Sequence, residues 1–429
     1  MTFIHHARRS AADTPVRQPG LQRLPLLSTV AALLLAGVDA HAQTGVPNAG
    51  TILQQVQPAL PAPPSAPAPS LRVQAVNPGA SAATLSFAVK TVRITGNTVF
   101  SADVLHALVA DGEGRTLTLA QVEALAARIT AHYQASGYPL SRAVVPAQTV
   151  ADGTVTIEVL EARYGKVGLN NSSRVDDAVL GATVAALQSG QAIDGSQLDR
   201  TLLLLSDIPG VGVNAVLKPG AEVGTSAIEI DATNTAFVLG SVLLDNYGNH
   251  YTGRARAGGS LDVLNPFHHG DTFSVSAVSS GDRMKYGRVA YDILLDGAGT
   301  RVGTSYSSVH YRLGRDIAAL DAHGAADVAS AWIKRPLIRD KQLNVYAQLQ
   351  YDAKRLRDRV GVTDTRTDRQ LDNWILTLNG DRRDDVLGGG ISVWSLAWTR
   401  GHNSFDDAAA EAADALSART RGSFSKWNA

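Results

Sequence analysis

The residues of this chain that could act on a substrate are few and scattered. With no cysteine among 429 residues, thiol nucleophiles, disulfides, Cys-ligated zinc and iron–sulfur clusters are excluded. Gly210-Val211-Gly212-Val213-Asn214-Ala215 has the glycine spacing of a dinucleotide fingerprint, but it follows a helical stretch and runs into a strand. Phosphate binding needs the reverse order, because the free N–H groups lie at a helix N-terminus. His268 and His269 suggest metal, yet they sit in a turn after Pro266 and read better as solvated. His310 beside Ser307 and Ser308 is a faint Ser/His arrangement, suited only to a hydrolase at the rim of a membrane barrel. H-E-x-x-H, P-loop and G-x-S-x-G motifs are absent, so no enzyme activity and no cofactor are expected. Alternate-position charge is more informative. Arg254, Arg256 and Arg288, with Asp262 and Asp292, would face one way from extended strands and could line a wet pore. Ion pairing within such a lumen is the plainer description, and the two hardly differ.

Composition narrows the class. Charged residues make up 18% of the chain against 45% hydrophobic, below the ~25% charge usual for soluble domains. Thirty-nine basic and 39 acidic side chains cancel, so a nucleic-acid partner is not expected. At roughly 150 residues per domain the length allows about three units.

Residues 1–42 read as a secretory signal peptide. Arg8, Arg9, Arg17 and Arg23 precede an apolar run at 24–38, and Ala40-His41-Ala42 supplies small residues for cleavage between Ala42 and Gln43. The run is shorter than the ~20 residues that a spanning helix needs. No later segment is an uncharged apolar helix of that length, so entry into a membrane would have to be by strands. Residues 43–86 hold eight of the 17 prolines and read as an extended linker. Within it, residues 49–56 could form a short helix with Ile52, Leu53 and Val56 on one face, although a frayed, solvated turn is the simpler expectation.

Residues 87–164 predict the order β-α-α-β-β. Thr118-Leu119-Ala120-Gln121 is a capping box, and Leu119, Val122, Leu125, Ile129 and Tyr133 then form a helix stripe. Val155, Ile157 and Val159 alternate with polar residues as a strand. The order recurs over 165–235, with Leu198, Leu202 and Leu205 on the core side of its second helix. Over 236–429 helical periodicity gives way to long alternating runs, such as residues 251–263, 272–277, 287–293 and 343–352. Their length, their scarce prolines and an apolar face rich in Ala, Gly, Val and Tyr favour a transmembrane barrel over a soluble sandwich. The basic stretch 354–359 is expected to continue a strand past the bilayer and to form a surface loop there.

Several segments resemble one family. Val92-Arg93-Ile94-Thr95-Gly96-Asn97-Thr98-Val99-Phe100 resembles the opening of a polypeptide-transport-associated (POTRA) domain, and Gly137-Tyr138-Pro139 its closing half. Pro209-Gly210 with Lys218-Pro219-Gly220 is similar to a second such domain. Asn265-Pro266 with Gly270-Asp271 is similar to the start of the barrel in the haemolysin-activator and filamentous-haemagglutinin exporters of two-partner secretion. The resemblance implies an α+β pair of periplasmic POTRA domains, followed by an antiparallel transmembrane β-barrel that is only partly present. It implies an outer-membrane translocator, monomeric and in contact with lipid, whose partner is a large exoprotein with an N-terminal secretion domain. It also implies a pore-plugging helix at 50–56. A barrel assembly factor is the alternative use of the same domains. About nine or ten strands are expected where the family implies about sixteen, and the family's Val-Arg-Gly-aromatic loop motif is absent. Truncation is therefore the expectation.

Overall fold

The computed structural model describes residues 46–56, 71–73, 86–150, 152–384 and 388–429. The expected signal peptide, its cleavage site at Ala42 and Gln43, and most of the linker lie outside the described residues. Within the linker, α1 (Ala49–Val56) is a formed helix with Ala49, Ile52 and Leu53 buried, which corrects the expected solvated turn. A two-turn helix is unstable alone in water, so its partners must hold it. β1 (Leu71–Val73) follows.

The first unit contains β2 (Ser86–Val89), β3 (Thr91–Thr95), α2 (Ala102–Ala107), β4 (Arg115–Thr118), α3 (Leu119–Ala135), β5 (Arg142–Val144) and β6 (Thr154–Leu160). The capping box forms at the start of α3. Thr118 Oγ1 accepts from the Gln121 N–H at 3.3 Å, and Gln121 Oε1 accepts from the Thr118 N–H at 2.8 Å. The helix buries Val122, Leu125, Ala126, Ile129 and Tyr133 against the alternating Val155, Ile157 and Val159 of β6. The sheet order is β3-β6-β5, with β3 parallel and β5 antiparallel to β6. An additional pair, β2 with β4, closes the core through Val89 and Leu117.

The second unit repeats the pattern with β7 (Arg163–Asn171), α4 (Asp177–Val184), α5 (Gly195–Ser206), β8 (Val211–Pro219) and β9 (Thr225–Asn234). Its sheet runs β1-β8-β9-β7, so the linker strand is its outermost member. The core stripe of α5 is Leu198, Leu202 and Leu205, as expected, but Leu204 off that stripe is also buried.

Ten antiparallel strands then follow in simple sequence order: β10 (Val238–Asp245), β11 (Arg256–Leu264), β12 (Thr272–Ser279), β13 (Met284–Leu294), β14 (Arg301–Arg312), β15 (Ala322–Arg339), β16 (Leu343–Val360), β17 (Thr365–Asp384), β18 (Gly390–Phe405) and β19 (Gly422–Asn428). A helix α6 (Ala408–Leu416) sits between the last two. Among the described residues no helix is long and apolar enough to cross a membrane. Strands β15 and β16 reach 18 residues and β17 reaches 20. That exceeds the 9–11 or so that cross a bilayer at a tilt. Pro336, unable to donate to the ladder, lies at a register shift in β15.

Two sequence expectations need correction here. Residues 251–255 are not strand: the Gly253 N–H bonds the Asn249 carbonyl and the Gly248 N–H bonds the Arg254 carbonyl, so Arg254 sits in a loop and not on the face of β11. Residues 354–359 do not leave as a loop but continue β16. Their charges are matched across the sheet, Arg357 with Asp327 and Arg359 with Asp368 at 2.6 Å, with Lys354 beside Asp352 at 3.2 Å.

Candidate functional site

Register and alternation sort the ten-stranded sheet into two chemically different faces. One face carries α1. Ala49, Ile52 and Leu53 pack with Met284, Tyr286, Val309, Tyr311 and Leu356. Residues in register with these belong to the same face, and they are polar along most of its length. Arg256, Asp262, Arg288 and Asp292 lie on it, whereas Arg254 does not. Asp262 accepts from the Ser274 hydroxyl at 2.5 Å, and Asp292 accepts from Arg301 Nε at 2.6 Å. On β16 a ladder runs from Gln348 to Gln350 at 2.9 Å and from Gln350 to Asp352 at 2.7 Å. The opposite face presents exposed Ile333, Leu349 and Leu376 in adjacent register. Tyr306, Tyr351 and Trp374 border this band, and the tyrosine hydroxyls donate to Asp327 at 3.0 Å and Asp372 at 2.8 Å. An apolar band edged by aromatic rings with their polar ends outward is the pattern of a lipid interface.

Both ends of α1 are tied to the wall by side chains of the appropriate charge. Asn48 caps it, accepting from the Thr51 N–H at 3.1 Å while Thr51 Oγ1 accepts from the Asn48 N–H at 2.9 Å. Asp358 accepts from the Ala49 N–H at 2.8 Å, from Arg369 at 2.9 Å and from the Tyr311 hydroxyl. At the other end, Arg256 donates to the Gln55 carbonyl at 3.4 Å and is itself held by Asp245 at 2.8 and 3.0 Å. An anion at the N-terminus and a cation at the C-terminus both suit the helix dipole.

The second unit docks on the near end of the sheet. Pro209 and the residues of the turn between β11 and β12 meet there: Asn265 Nδ2 donates to the Pro209 carbonyl, and the His268 carbonyl accepts from the Asp176 N–H at 2.9 Å. Gly210 has φ +76°, and a Cβ there would come within 3.0 Å of Asn265 Nδ2, so the close approach needs glycine. Asp271 organises the turn, accepting from the N–H groups of Phe267 at 3.2 Å and His269 at 3.1 Å and from the Tyr291 hydroxyl. Pro266 and Gly270 complete the same turn, Gly270 beside Ile208. His268 and His269 are exposed, but they touch Arg174 and Asp176 of the second unit, not solvent alone. Among the described residues no His, Asp or Glu cluster could hold a metal. Pro219 and Gly220 lie elsewhere, Pro219 as the last residue of β8 and Gly220 at the start of the β8–β9 turn, where its N–H bonds the Thr225 carbonyl.

The junction also has a core that the sequence reading missed. Asp207, the residue after α5, takes two bonds of 2.7 Å from Arg339 at the end of β15. Arg339 also donates to Asn344 at 2.8 Å, and Asn344 donates to Asp381 at 3.0 Å. Leu204, off the α5 core stripe, lines a cavity at this junction with Asp207, Leu294, Pro336 and Tyr346. Lys341 and Asp199 add an outer pair at 2.6 Å.

The motif residues of the first unit serve its packing and its joint with the second. Gly96 has φ +79°, and a Cβ there would stand 2.3 Å from the Val159 carbonyl oxygen. Asn97 Nδ2 donates to the Phe100 carbonyl at 2.8 Å. Phe100 meets Tyr133 and Tyr138 edge to face, with centroids 4.9 and 6.0 Å away. The Gly137 carbonyl accepts from the Gly195 N–H at 2.9 Å, across the joint. Glu161, also unforeseen, is buried at the joint and accepts from the Thr98 N–H at 2.6 Å, its hydroxyl at 2.5 Å, the Val99 N–H at 2.8 Å, the Tyr133 hydroxyl at 2.9 Å and Arg163 at 2.7 Å. Burial pushes the Glu161 carboxyl up, but the Thr98, Val99 and Tyr133 donors outweigh it and hold its pKa below the ordinary value. Burial and the Glu161 carboxylate push the Tyr133 phenol well above its usual range.

Two family profiles match the chain. Residues 87–162 match the POTRA domain of ShlB type, and residues 224–429 match the haemolysin secretion/activation protein ShlB/FhaC/HecB. The first matched segment is thus a POTRA domain of ShlB type, and the second carries the ShlB/FhaC/HecB signature. It is 26% identical over 317 residues to the heme/hemopexin transporter protein HuxB of Haemophilus influenzae, covering 73% of this chain and 56% of that one. It is 25% identical over 191 residues to the outer membrane transporter CdiB of Dickeya dadantii, covering 44% of this chain and 34% of that one. The chain thus spans about half the length of the HuxB relatives it matches. Among solved structures, CdiB from Escherichia coli superposes with a TM-score of 0.60 at 21% identity, covering 79% of this chain and 62% of that one. CdiB from Acinetobacter baumannii gives 0.53 at 15% identity. Both share the fold.

The Ser/His arrangement does not assemble. Ser308 and His310 share a face of β14, with Ser307 on the other, and Ser308 donates to Asp327 at 2.7 Å. The Gly210–Ala215 segment leaves a helix and enters β8, the wrong context for a dinucleotide.

Proposed function

We propose that this chain is an outer-membrane translocator for a large exoprotein in two-partner secretion. The two small units face the periplasm and capture the exoprotein's N-terminal secretion domain. The ten-stranded sheet contributes pore wall, its apolar face against lipid and its helix-bearing face wet. The protein works as a monomer, without nucleic acid or cofactor and without a catalytic step. One observation carries the reading: a short capped helix held by Asp358 and Arg256 on the polar face of a sheet whose other face is apolar and edged by aromatics. A polar face inside a membrane offers hydrogen bonds to a chain whose backbone groups would otherwise go unpaired in hydrocarbon. Extended clients suit small units with sheet edges, since main-chain pairing gives affinity that tolerates sequence. The test uses the full chain in detergent micelles and the purified secretion domain of a cognate exoprotein. Saturable binding at micromolar concentration is expected. No binding at tens of micromolar overturns the reading.

A further inference from the structure

The apolar face of the ten-stranded sheet changes character toward the end remote from the second unit. Leu349 and Tyr351 lie on this face of β16, and Arg355, Arg357 and Arg359 follow them at every second position. In the same direction, Lys285 of β13 lies opposite His310 of β14. Among the described strand residues, the near end of this face carries two cations, Arg335 and Arg382. The basic residues therefore gather at one end.

The acids there do not balance them. Asp327 accepts from Arg357, from the Ser308 hydroxyl at 2.7 Å and from the Tyr306 hydroxyl at 3.0 Å. Asp368 is held at two points by Arg359, at 2.6 and 2.8 Å. Arg366 lies directly opposite Arg359 and reaches only the exposed Asp364, at 3.6 Å. Like charges facing each other across a ladder are destabilising. Lys285 and Arg355 are exposed and have no ion-pair partner among the described residues. The floor between these cations is low. Ala325 sits between His310 and Arg357, and a Cβ on Gly287 would meet open space. With strands about 4.8 Å apart, Lys285 and Arg357 flank a floor about 14 Å wide.

Resting on the membrane reading above, we propose that this basic patch binds the phosphorylated sugar headgroup of an outer-leaflet glycolipid, with Lys285 and Arg355 as its phosphate contacts. Basic clusters beside a bilayer select anionic headgroups. The depth fits a lipid better than a soluble anion. Arg355 lies six residues beyond Leu349 on β16, about 20 Å along the strand and about 14 Å along the membrane normal at the usual tilt. That is close to half the ~30 Å hydrocarbon core. Acyl chains would then lie on the apolar band, and the phosphates would meet the cations that the fold leaves unpaired.

Lys285 and Arg355 have no ion pair to lose, so Lys285→Gln with Arg355→Gln keeps the fold's own contacts. The probe is lipid A, titrated into the full chain in detergent micelles. It should bind the double variant at least about tenfold more weakly than the parent, because two charge-assisted contacts are lost. Lys285→Arg with Arg355→Lys should stay within a few-fold of the parent, and Arg335→Gln with Arg382→Gln should change nothing. Unchanged binding in the first variant, an equal loss in the near-end variant, or equally tight binding of dephosphorylated lipid A overturns the site. Inorganic phosphate that displaces lipid A at equal concentration overturns the lipid assignment. Quenching of a fluorophore at Leu349→Cys by brominated detergent reports the apolar face independently. Quenching without lipid A binding overturns the site alone, whereas no quenching refutes the membrane reading and the site with it.

Discussion

Asp207 and Arg339 are 132 residues apart in sequence and meet through two parallel hydrogen bonds of 2.7 Å, with the guanidinium almost fully buried. The contact fixes the end of α5 to the end of β15, so the orientation of the second unit over the sheet is set by a charged pair whose Asp207 lines a cavity with Leu204, Leu294 and Tyr346. Asn344 and Asp381 extend it into the sheet. Arginine suits the place, since its fork matches a carboxylate at two points.

Removing one partner should therefore cost more than removing both. Asp207→Ala leaves a buried, uncompensated guanidinium and should destabilise the junction by about 3–5 kcal/mol. Asp207→Leu combined with Arg339→Leu should recover most of that loss. Limited proteolysis of the residues joining β9 to β10 reads the result, with fast cleavage expected in the single variant and near-parent rates in the double one.

The helix on the polar face should loosen when its charged ends are removed. Asp358→Ala takes away the acceptor at the Ala49 N–H, and Arg256→Ala the donor at the Gln55 carbonyl. Each end contributes about 0.3–1 kcal/mol through the dipole, more where partly buried. A spin label at Gln54 should become several-fold more mobile in the double variant than in either single one.

Low pH should weaken the joint between the two small units. The folded-state pKa of Glu161 lies below the ordinary 4.5, so its contribution is complete above about pH 4.5 and is lost as pH falls through the folded value. Urea unfolding followed between pH 6 and pH 3 should show this loss in the parent chain. Glu161→Gln should start less stable, by about 1–3 kcal/mol, and show a flatter pH dependence.

Gly96→Ala should destabilise the first unit by about 1–3 kcal/mol, because its φ of +79° and the Val159 carbonyl 2.3 Å from the added Cβ both oppose a side chain. The unfolding midpoint measures it, and a Gly114→Ala variant, with φ +72° but open space around it, should cost less.

What the sequence revealed was local in origin. The Thr118 capping box, the α3 stripe and the alternation of β6 and β13 depend on neighbours within one element, and they were legible. The burial of α1 was not, because an eight-residue helix has too few internal bonds and gains its stability from strands more than 200 residues away. Arg254 was misplaced because a loop around Gly253 imitates strand alternation. Residues 354–359 read as a loop because their ion-pair partners Asp327 and Asp368 lie on adjacent strands. Glu161 and Asp207 were invisible for the same reason: each is an ordinary acid until distant donors converge on it.

The two-faced sheet is the central claim, and adjacent positions on β16 test it. Gln350→Cys lies in the polar ladder and Leu349→Cys in the apolar band. In outer membranes carrying the full chain, a membrane-impermeant maleimide should label the cysteine at 350 readily, while a fluorophore at 349 should be quenched by bromolipid. Equal aqueous labelling at both positions, or lipid quenching at 350 and not at 349, would contradict the account.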